Sequence, residues 1–380
     1  MKVNQEYIEI VLSDKTYLLP YGQSIVDRRY DVQFNDVGAL LWQGVKKQYN
    51  QRQLVNMLFY EYQLDDSKKE DIKQDVSFFL QDLQNKGVID KIQTPYLVDN
   101  YQEFVYQIGG LNICICQHQK LFDNYFKDFS CDSKKRDQII QFHFYHPQYH
   151  KNGQVLIRNQ ELMILQSDQE YIIIFLKSQY LYEMHISLDG HDVILYCQMG
   201  DKKEILEEQF HALRLAYLVL AQKHQLFIVH SASLLYKGKA WLFLGPSGTG
   251  KTTHTSLWKE YFSTPILNGD LNMIGVEKDH LMVYGLPWCG TSQIYTHHKY
   301  RLGGMVFLKQ ADFNRVKKLT DDEKMVSFIQ RLISPTWNQD LMSMNIDFVK
   351  KYMPLIKAYS FECTKNKDAI ELIKTTIDNQ

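Results

Sequence analysis

The sequence predicts a mixed α+β / α/β protein in two parts: a winged-helix-like module at residues 1–90 and a larger P-loop domain at residues 105–380, joined by a linker at 91–104. Three observations predict this. The first part shows two short strand patterns and then three helical ones. Strand-like segments dominate from about 105 to 200. A glycine-rich loop between a strand and a helix then marks a domain with a mixed sheet and packed helices.

In the first part, alternation over Tyr7–Leu12 predicts a strand, and a second strand at 17–19 follows it across a short turn. A helix is expected at 34–45, with Asn35 or Asp36 as its N-cap. Apolar residues at helical spacing indicate two further helices, one through Leu54 and Leu58 and one at 67–86. Two strands and three helices are typical of a winged helix.

In the second part, we interpret the strands of residues 105–200 as the front half of the larger fold rather than as a separate domain. An amphipathic helix is expected at 204–224. After Gln310 the pattern becomes helical and stays so to the end of the sequence. The P-loop domain is therefore predicted to pair a strand-rich half with helices on one side.

A hairpin leads into the glycine-rich loop. Phe227–Tyr236 is rich in β-forming residues, Lys237-Gly238 makes a short turn, and the apolar segment 240–244 follows at once. So short a connection joins antiparallel strands. The next segment, Gly245–Thr252, has the Walker A spacing G-x-x-x-x-G-K-T, and a helical pattern follows it. The loop therefore stands between a strand and a helix, where phosphate binding requires it.

The chemistry of the loop follows from its residue types. Glycines let successive N–H groups face one point, and the helix that starts near Lys251 adds its positive dipole end. Lys251 is expected to reach the β- and γ-phosphates of ATP, and Thr252 to offer its hydroxyl to Mg²⁺. We expect the nucleotide to be held by Gly245, Pro246, Ser247, Gly248, Thr249, Gly250, Lys251, Thr252 and Thr253.

Around this loop, the chain resembles HPr kinases and ATP-dependent phosphoenolpyruvate carboxykinases. The residues that carry the resemblance are His230 in "VHSASLLYKGKAWLFLGPSGTGKTT", Asp270 in "PILNGDLNMI" and the segment "VYGLPWCGTSQI". The resemblance covers roughly 106–372. It implies a mixed, partly barrelled sheet with helices on one side, and ATP-dependent transfer of a phosphoryl group to a hydroxyl.

The resemblance also implies roles for single residues. The family often carries two adjacent aspartates after the loop, whereas this sequence has Gly269 followed by Asp270. Asp270 is expected to share Mg²⁺ with Thr252, and His230 to orient the acceptor hydroxyl or take its proton. The resemblance therefore assigns catalysis to His230, Lys251 and Asp270. Three structural alternatives stay open, in which residue 230 is a core histidine, Asp270 is a carboxylate of a turn and Cys289 is a buried thiol.

The first ninety residues resemble PqqD-like domains, which recognise the leaders of ribosomally made precursor peptides. The resemblance rests on the order of elements and on "NDVGALLW", "VNMLFYEYQL" and "DVSFFLQDLQNKGVI". It implies that a leader peptide adds as a strand to the small sheet and lies against the helix at 67–86, by main-chain pairing. The alternative to leader recognition is a purely structural domain that packs on the P-loop domain.

Composition limits the partners. The 380 residues carry 43 Lys and Arg against 44 Asp and Glu, and residues 1–90 carry 11 against 14, so nucleic acid is not an expected partner. The apolar stretches are too short to span a membrane, and the start has no signal-peptide shape. The six cysteines show neither zinc spacing nor a disulfide framework. We therefore expect a cytoplasmic protein.

Together these features predict an ATP- and Mg²⁺-dependent kinase that phosphorylates a serine of a ribosomal precursor peptide whose leader is bound by residues 1–90. Holding the peptide on one module raises its concentration at the other. Two alternatives stay open. One is a small-molecule or carboxykinase-like phosphotransferase. The other is a nucleotide-gated protein that presents peptide without transferring phosphate. The resemblance to HPr kinases also leaves a homo-oligomer open.

Overall fold

The computed structural model describes residues 3–26, 29, 31–47, 49, 51–65, 68–89, 102–117, 119–147 and 153–379. In these residues the chain forms one three-stranded sheet and two eight-stranded sheets, together with ten α-helices. The mixed α+β class predicted from the sequence is confirmed. Within the described residues, no helix combines the length and apolar character needed to cross a bilayer.

The N-terminal unit is a small antiparallel sheet packed on three longer helices. Its elements are β1 (Tyr7–Leu12), β2 (Lys15–Pro20), α1 (Gln23–Val26), β3 (Val32–Gln33), α2 (Asp36–Lys46), α3 (Gln51–Tyr62) and α4 (Lys69–Asn85). The predicted cap is confirmed, since the Asn35 side chain accepts a hydrogen bond from the Gly38 N–H at 2.8 Å. The core of the unit includes Leu18, Trp42 and Leu83. Among the elements of the described residues, the short α1 and β3 were not predicted by sequence patterning.

The strand-rich segment forms the second sheet, in the order β4-β5-β6-β11-β10-β9-β8-β7. Its elements are β4 (Gln102–Ile108), β5 (Leu111–Gln117), α5 (Asp123–Phe126), β6 (Gln138–His143), β7 (Gln154–Arg158), β8 (Leu162–Gln166), β9 (Glu170–Phe175), β10 (Leu181–Ser187) and β11 (Asp192–Cys197). Residues 91–101 of the predicted linker at 91–104 lie outside the described residues, and residues 102–104 form the start of β4.

The third sheet carries the glycine-rich loop and is partly closed. It follows α6 (Lys203–Lys223) and consists of β12 (Phe227–Tyr236), β13 (Lys239–Leu244), β14 (Ile266–Asn268), β15 (Leu271–Glu277), β16 (His280–Tyr284), β17 (Lys299–Gln310), β18 (Arg315–Lys318) and β19 (Ala358–Cys363). Strands β13-β12-β15-β16-β17 pair in that order, and β13 also pairs with β17. These five strands therefore close into a ring, whereas β14, β18 and β19 lie outside it.

The remaining helices pack on this sheet. They are α7 (Lys251–Phe262), α8 (Asp321–Ile329), α9 (Gln339–Tyr352) and α10 (Lys367–Asp378). The expectation that the chain is helical throughout after Gln310 is wrong, because β18 and β19 extend the sheet beyond β17. The second and third sheets share one apolar core through α6, in which Tyr217 packs with Ile108 and Met273.

Candidate functional site

The hairpin sets the position of the glycine-rich loop. Strands β12 and β13 pair antiparallel as predicted, and Lys237 and Gly238 turn the chain with φ values of 48° and 72°. Positive φ at both central residues matches the twist of the flanking strands. Strand β13 is buried from Ala240 to Leu244. The loop therefore emerges from a fixed strand end and runs straight into α7.

The loop has the geometry of an anion-binding nest. Gly248 and Gly250 adopt φ values of 80° and 95°, and a Cβ at either would meet nothing within 4 Å. In the part of the chain that the structure describes, the N–H groups of Ser247, Gly248 and Gly250 donate no hydrogen bond to other protein groups. Backbone donors without a protein acceptor, in a glycine-rich loop beside open space, suit the oxygens of a phosphate.

Lys251 begins α7 and folds back over the loop. Its side chain is buried at 8% exposure, and its Nζ donates to the carbonyl oxygens of Gly245 (2.9 Å) and Pro246 (3.1 Å). Burial lowers the pKa of Lys251, while the charge of Asp270 opposes that shift. The loop thus holds a partly desolvated cation beside its unused N–H groups.

The other predicted nucleotide-binding residues lie around this centre. The Thr249 hydroxyl donates to the Pro246 carbonyl at 2.8 Å and so stabilises the loop itself. Pro246, Ser247, Thr252 and Thr253 are exposed, whereas Gly245 is buried. The hydroxyl of Thr252 is therefore open to solvent at the start of α7.

His230 and Asp270 form a close pair of side chains. His230 lies on β12 and Asp270 directly before β15, and their Nε2 and Oδ1 atoms are 3.2 Å apart. The contact with His230 lowers the pKa of Asp270, and the charges of Arg214 and Lys251 act in the same direction. The carboxylate is therefore ionised at neutral pH, and the structure brings together two of the three predicted catalytic side chains.

Asn268 orients the Asp270 backbone, a role that the sequence did not reveal. Its buried Oδ1 accepts hydrogen bonds from the N–H groups of Asp270 (2.9 Å) and Leu271 (3.1 Å). This side-chain turn fixes the start of β15. On the other side, the Asp270 carbonyl accepts from the Ser231 N–H at 2.9 Å. Strand β12 and the turn thus fix the backbone of the carboxylate together.

Ser292 fills the space that a side chain at position 269, where HPr kinases often have the first of two aspartates, would occupy. A Cβ at Gly269 would lie 2.2 Å from the Ser292 Oγ and 2.6 Å from its Cβ. The Ser292 hydroxyl donates to the Cys289 carbonyl at 2.7 Å, which holds it there. Gly269 is therefore built into the packing, and this chain has no room for a carboxylate at that position.

Two arginines face the site from distant parts of the chain. Arg214 lies on α6 and Arg331 in the turn after α8, and both are half-buried. The Arg331 carbonyl accepts from the His230 N–H at 2.9 Å, and the Arg331 charge lowers the pKa of Lys251. Among the described residues, neither guanidinium makes a hydrogen bond or ion pair. The sequence pattern gave no signal for either.

Cys289 lies near the same carboxylate but resembles a packing thiol. It is half-buried, and burial together with the Asp270 charge raises its pKa. A thiol with a raised pKa is a poor nucleophile. All six cysteines are free. In the described residues, no cluster of histidine, cysteine and acidic side chains is suited to a metal ion.

The N-terminal unit offers an open sheet edge. Among the described residues, β1 pairs only with β2, and its Ile8, Val11 and Leu12 side chains are exposed. The start of the chain is tied to the end of α4, because the Tyr7 hydroxyl donates to the Lys86 carbonyl at 2.7 Å. An exposed apolar edge strand beside a helix is the geometry that strand addition requires.

Comparison with known proteins identifies the N-terminal region. Residues 25–89 match the family model described as coenzyme PQQ synthesis protein D (PqqD), so the chain contains a PqqD domain there. No curated protein matches the sequence.

Similar solved structures include the following two. One is TbiB1 in complex with the TbiA(beta) leader peptide, at 20% identity over 24% of this chain and 98% of that chain, with a TM-score of 0.21. The other is the Hpr(Ser) kinase/phosphatase from Coxiella burnetii, at 11% identity over 40% of this chain and 94% of that chain, with a TM-score of 0.23.

Proposed function

We propose that this chain is an ATP- and Mg²⁺-dependent kinase that phosphorylates a serine of a ribosomally made precursor peptide. In this proposal the PqqD domain binds the leader, and the site around Lys251, His230 and Asp270 transfers the phosphoryl group. A cytoplasmic location belongs to the same proposal. The observation that carries it is the 3.2 Å His230–Asp270 pair beside a glycine-rich loop with a buried lysine.

The loop supports the nucleotide half of the proposal. Its unused N–H groups and the Lys251 ammonium would bind the phosphate tail, since they combine donors with a positive charge in one place. Thr252 and Asp270 would hold Mg²⁺, because a hydroxyl and a carboxylate are ligands that this cation prefers. The bound cation supplies neutralisation of the charge on the transferring group.

The histidine pair supports transfer to a hydroxyl. When Nε2 donates its hydrogen to the ionised Asp270, the Nδ1 atom of His230 is left as the proton acceptor. The serine oxygen then forms its bond to phosphorus while the bond to ADP breaks, and the hydroxyl proton passes to Nδ1. His230 therefore takes the role that a second carboxylate would have, at a site where Gly269 leaves no room for one.

The PqqD domain supports the peptide half. The open edge of β1 and the helix α4 would bind an extended leader through main-chain hydrogen bonds. The serine-bearing core then reaches the transfer site at a high effective concentration, so the site itself needs few sequence-specific contacts. Acidic charge in residues 1–90 favours a leader that carries lysine or arginine.

The test uses the full chain with ATP, Mg²⁺ and a candidate precursor peptide that has a leader and a serine-bearing core. Mass spectrometry should find one added phosphoryl group on a serine of the core, together with one ADP per peptide. Nucleotide binding without any change in peptide mass would favour the peptide-presenting alternative. Phosphorylation that is unaffected when the leader is removed from the peptide would argue against leader recognition by the N-terminal unit.

A further inference from the structure

Arg214 is a charged side chain for which the proposed mechanism has no use. It lies in the middle of α6, is half-buried, and contacts no hydrogen-bonding or ion-pairing group among the described residues. Taking a guanidinium out of water costs free energy unless an anion or hydrogen-bond acceptors compensate. The protein alone, as far as the structure describes it, does not supply that compensation.

The packing of α6 directs Arg214 toward the site. Phe210, Arg214 and Tyr217 are spaced four and three residues apart and so share one face of the helix. Trp288 packs on both aromatic neighbours, with ring centroids 5.6 Å from Phe210 and 5.3 Å from Tyr217. Its Nε1 also donates to the Phe210 carbonyl at 3.1 Å. Arg214 therefore lies beside the segment that begins at Trp288.

That segment leads directly to the catalytic carboxylate. A Cβ at Gly290 would lie 3.0 Å from the Cβ of Asp270, so the turn touches Asp270. Arg214 is close enough to lower the pKa of Asp270, yet the two groups do not form an ion pair. The guanidinium and the carboxylate are therefore more than 4.0 Å apart.

The two arginines differ in what they face. Arg331 influences the pKa of Lys251, which belongs to the phosphate-binding loop, whereas Arg214 influences that of Asp270. Lys251 and Arg331 thus provide positive charge near the loop, and Arg214 provides it near Asp270.

We propose that Arg214 binds a carboxylate of the acceptor, so that the site takes serine hydroxyls that have an acidic group close by. This inference rests on the proposed kinase function. The planar guanidinium binds a carboxylate through two parallel hydrogen bonds and fixes its orientation. The acidic group would contact the guanidinium and so set the distance from the serine oxygen to His230.

The test compares two pools of short synthetic serine peptides. In the acidic pool, the serine is preceded by aspartate, is followed by aspartate, or carries the free C-terminal carboxylate of the peptide. In the neutral pool, asparagine and a C-terminal amide replace these groups. Fluorescence anisotropy measures how tightly each pool binds to the full chain in the presence of Mg²⁺ and a non-hydrolysable ATP analogue. The proteins compared are wild type, Arg214→Gln, Arg214→Lys and Lys203→Gln. Lys203 is the matched control, because it is an exposed cation on the same helix and pairs with Glu207.

Wild type should bind the acidic pool about 10- to 100-fold more tightly, the range expected for a charge-assisted hydrogen bond. Arg214→Gln should abolish that preference without weakening binding of the neutral pool. Arg214→Lys should keep part of the preference, and Lys203→Gln all of it. The absence of a preference in wild type would overturn the proposal, and so would an equal loss for both pools in Arg214→Gln, which would assign Arg214 to the transferring group.

Phosphoryl transfer from ATP to the same pools separates this inference from the proposed function. A binding preference that depends on Arg214 without any transfer would leave the acidic subsite standing and refute the kinase. Transfer without such a preference would leave the kinase standing and refute the acidic subsite.

Discussion

Replacing Gly269 by alanine tests whether the position of the absent aspartate is closed by packing. The new Cβ would lie 2.2 Å from the Ser292 Oγ and 2.6 Å from the Ser292 Cβ. Rotation of the serine hydroxyl relieves the first contact but not the second, so the backbone near residue 292 must move. The φ of Gly269 lies outside the left-handed region, and the cost is therefore steric rather than conformational.

The structure sets the size of the effect. Overpacking of this kind costs about 1–3 kcal/mol. The shift of Ser292 also weakens its 2.7 Å hydrogen bond to the Cys289 carbonyl, which contributes about 1 kcal/mol. Together these costs lower the melting temperature by roughly 4–12 °C for a domain of this size. Ser292→Gly in the same chain removes both clashing atoms and should restore about 1–3 kcal/mol as a coupling free energy.

Differential scanning calorimetry of the single and double variants provides the measurement. Gly269→Ala/Ser292→Gly should melt at a higher temperature than the sum of the two single changes predicts. Gly269→Ala/Ser292→Ala is the matched control, because it keeps the Cβ and should restore little. Wild-type stability for Gly269→Ala would refute the packing argument, as would equal rescue by glycine and alanine at position 292.

Three further outcomes are expected. Lys251→Ala should lower kcat by at least about 10²-fold through loss of the buried ammonium while leaving leader affinity unchanged, and loss of both would argue against separable modules. Asp270→Asn keeps the shape of the side chain but removes the charge that holds His230 and the cation, so Mg²⁺-dependent turnover should fall about 10²- to 10³-fold. Near-normal steady-state rates would place the metal elsewhere. His254 is buried between Phe243 and Phe361, and burial lowers its pKa to about 4. Between pH 6.5 and pH 4, His254 binds a proton in the unfolded chain but not in the folded chain, so the stability of the protein should fall as the pH drops through this range. Melting curves of His254→Leu should lack this part of the acid sensitivity. A pH dependence equal to that of wild type would contradict the assignment.

Local signals in the sequence predicted the hairpin and the loop well. The turn at Lys237-Gly238 joins two apolar strands, and the spacing of Gly245–Thr252 fixes the strand–loop–helix order. The cap at Asn35 was predictable for the same reason, because its partner lies only three residues away. Signals of this kind act within one or two turns of the chain, and the structure retains them.

The parts that the sequence did not reveal depend on distant contacts. Arg214 and Arg331 come from α6 and from the turn after α8, and only the packing of these elements brings Arg214 near Asp270 and Arg331 near Lys251. Strand β18 was missed because three of its four residues are charged and the same three are exposed, as expected for an outer strand. The closure of Gly269 by Ser292 likewise depends on a loop that folds back from β16.

The ring of β13-β12-β15-β16-β17 also determines where the chain tolerates changes in length. The ladder places His230 opposite Leu271, and successive residues of a strand point to opposite faces. Deleting one residue from β12 ahead of His230 would turn the imidazole away from Asp270 even if the rest of the ring still formed. Insertions are better absorbed at Lys237-Gly238, which lies beyond the paired residues at the far end of the hairpin. Natural variation in loop length among proteins with this ring should therefore accumulate at that turn and spare the strands.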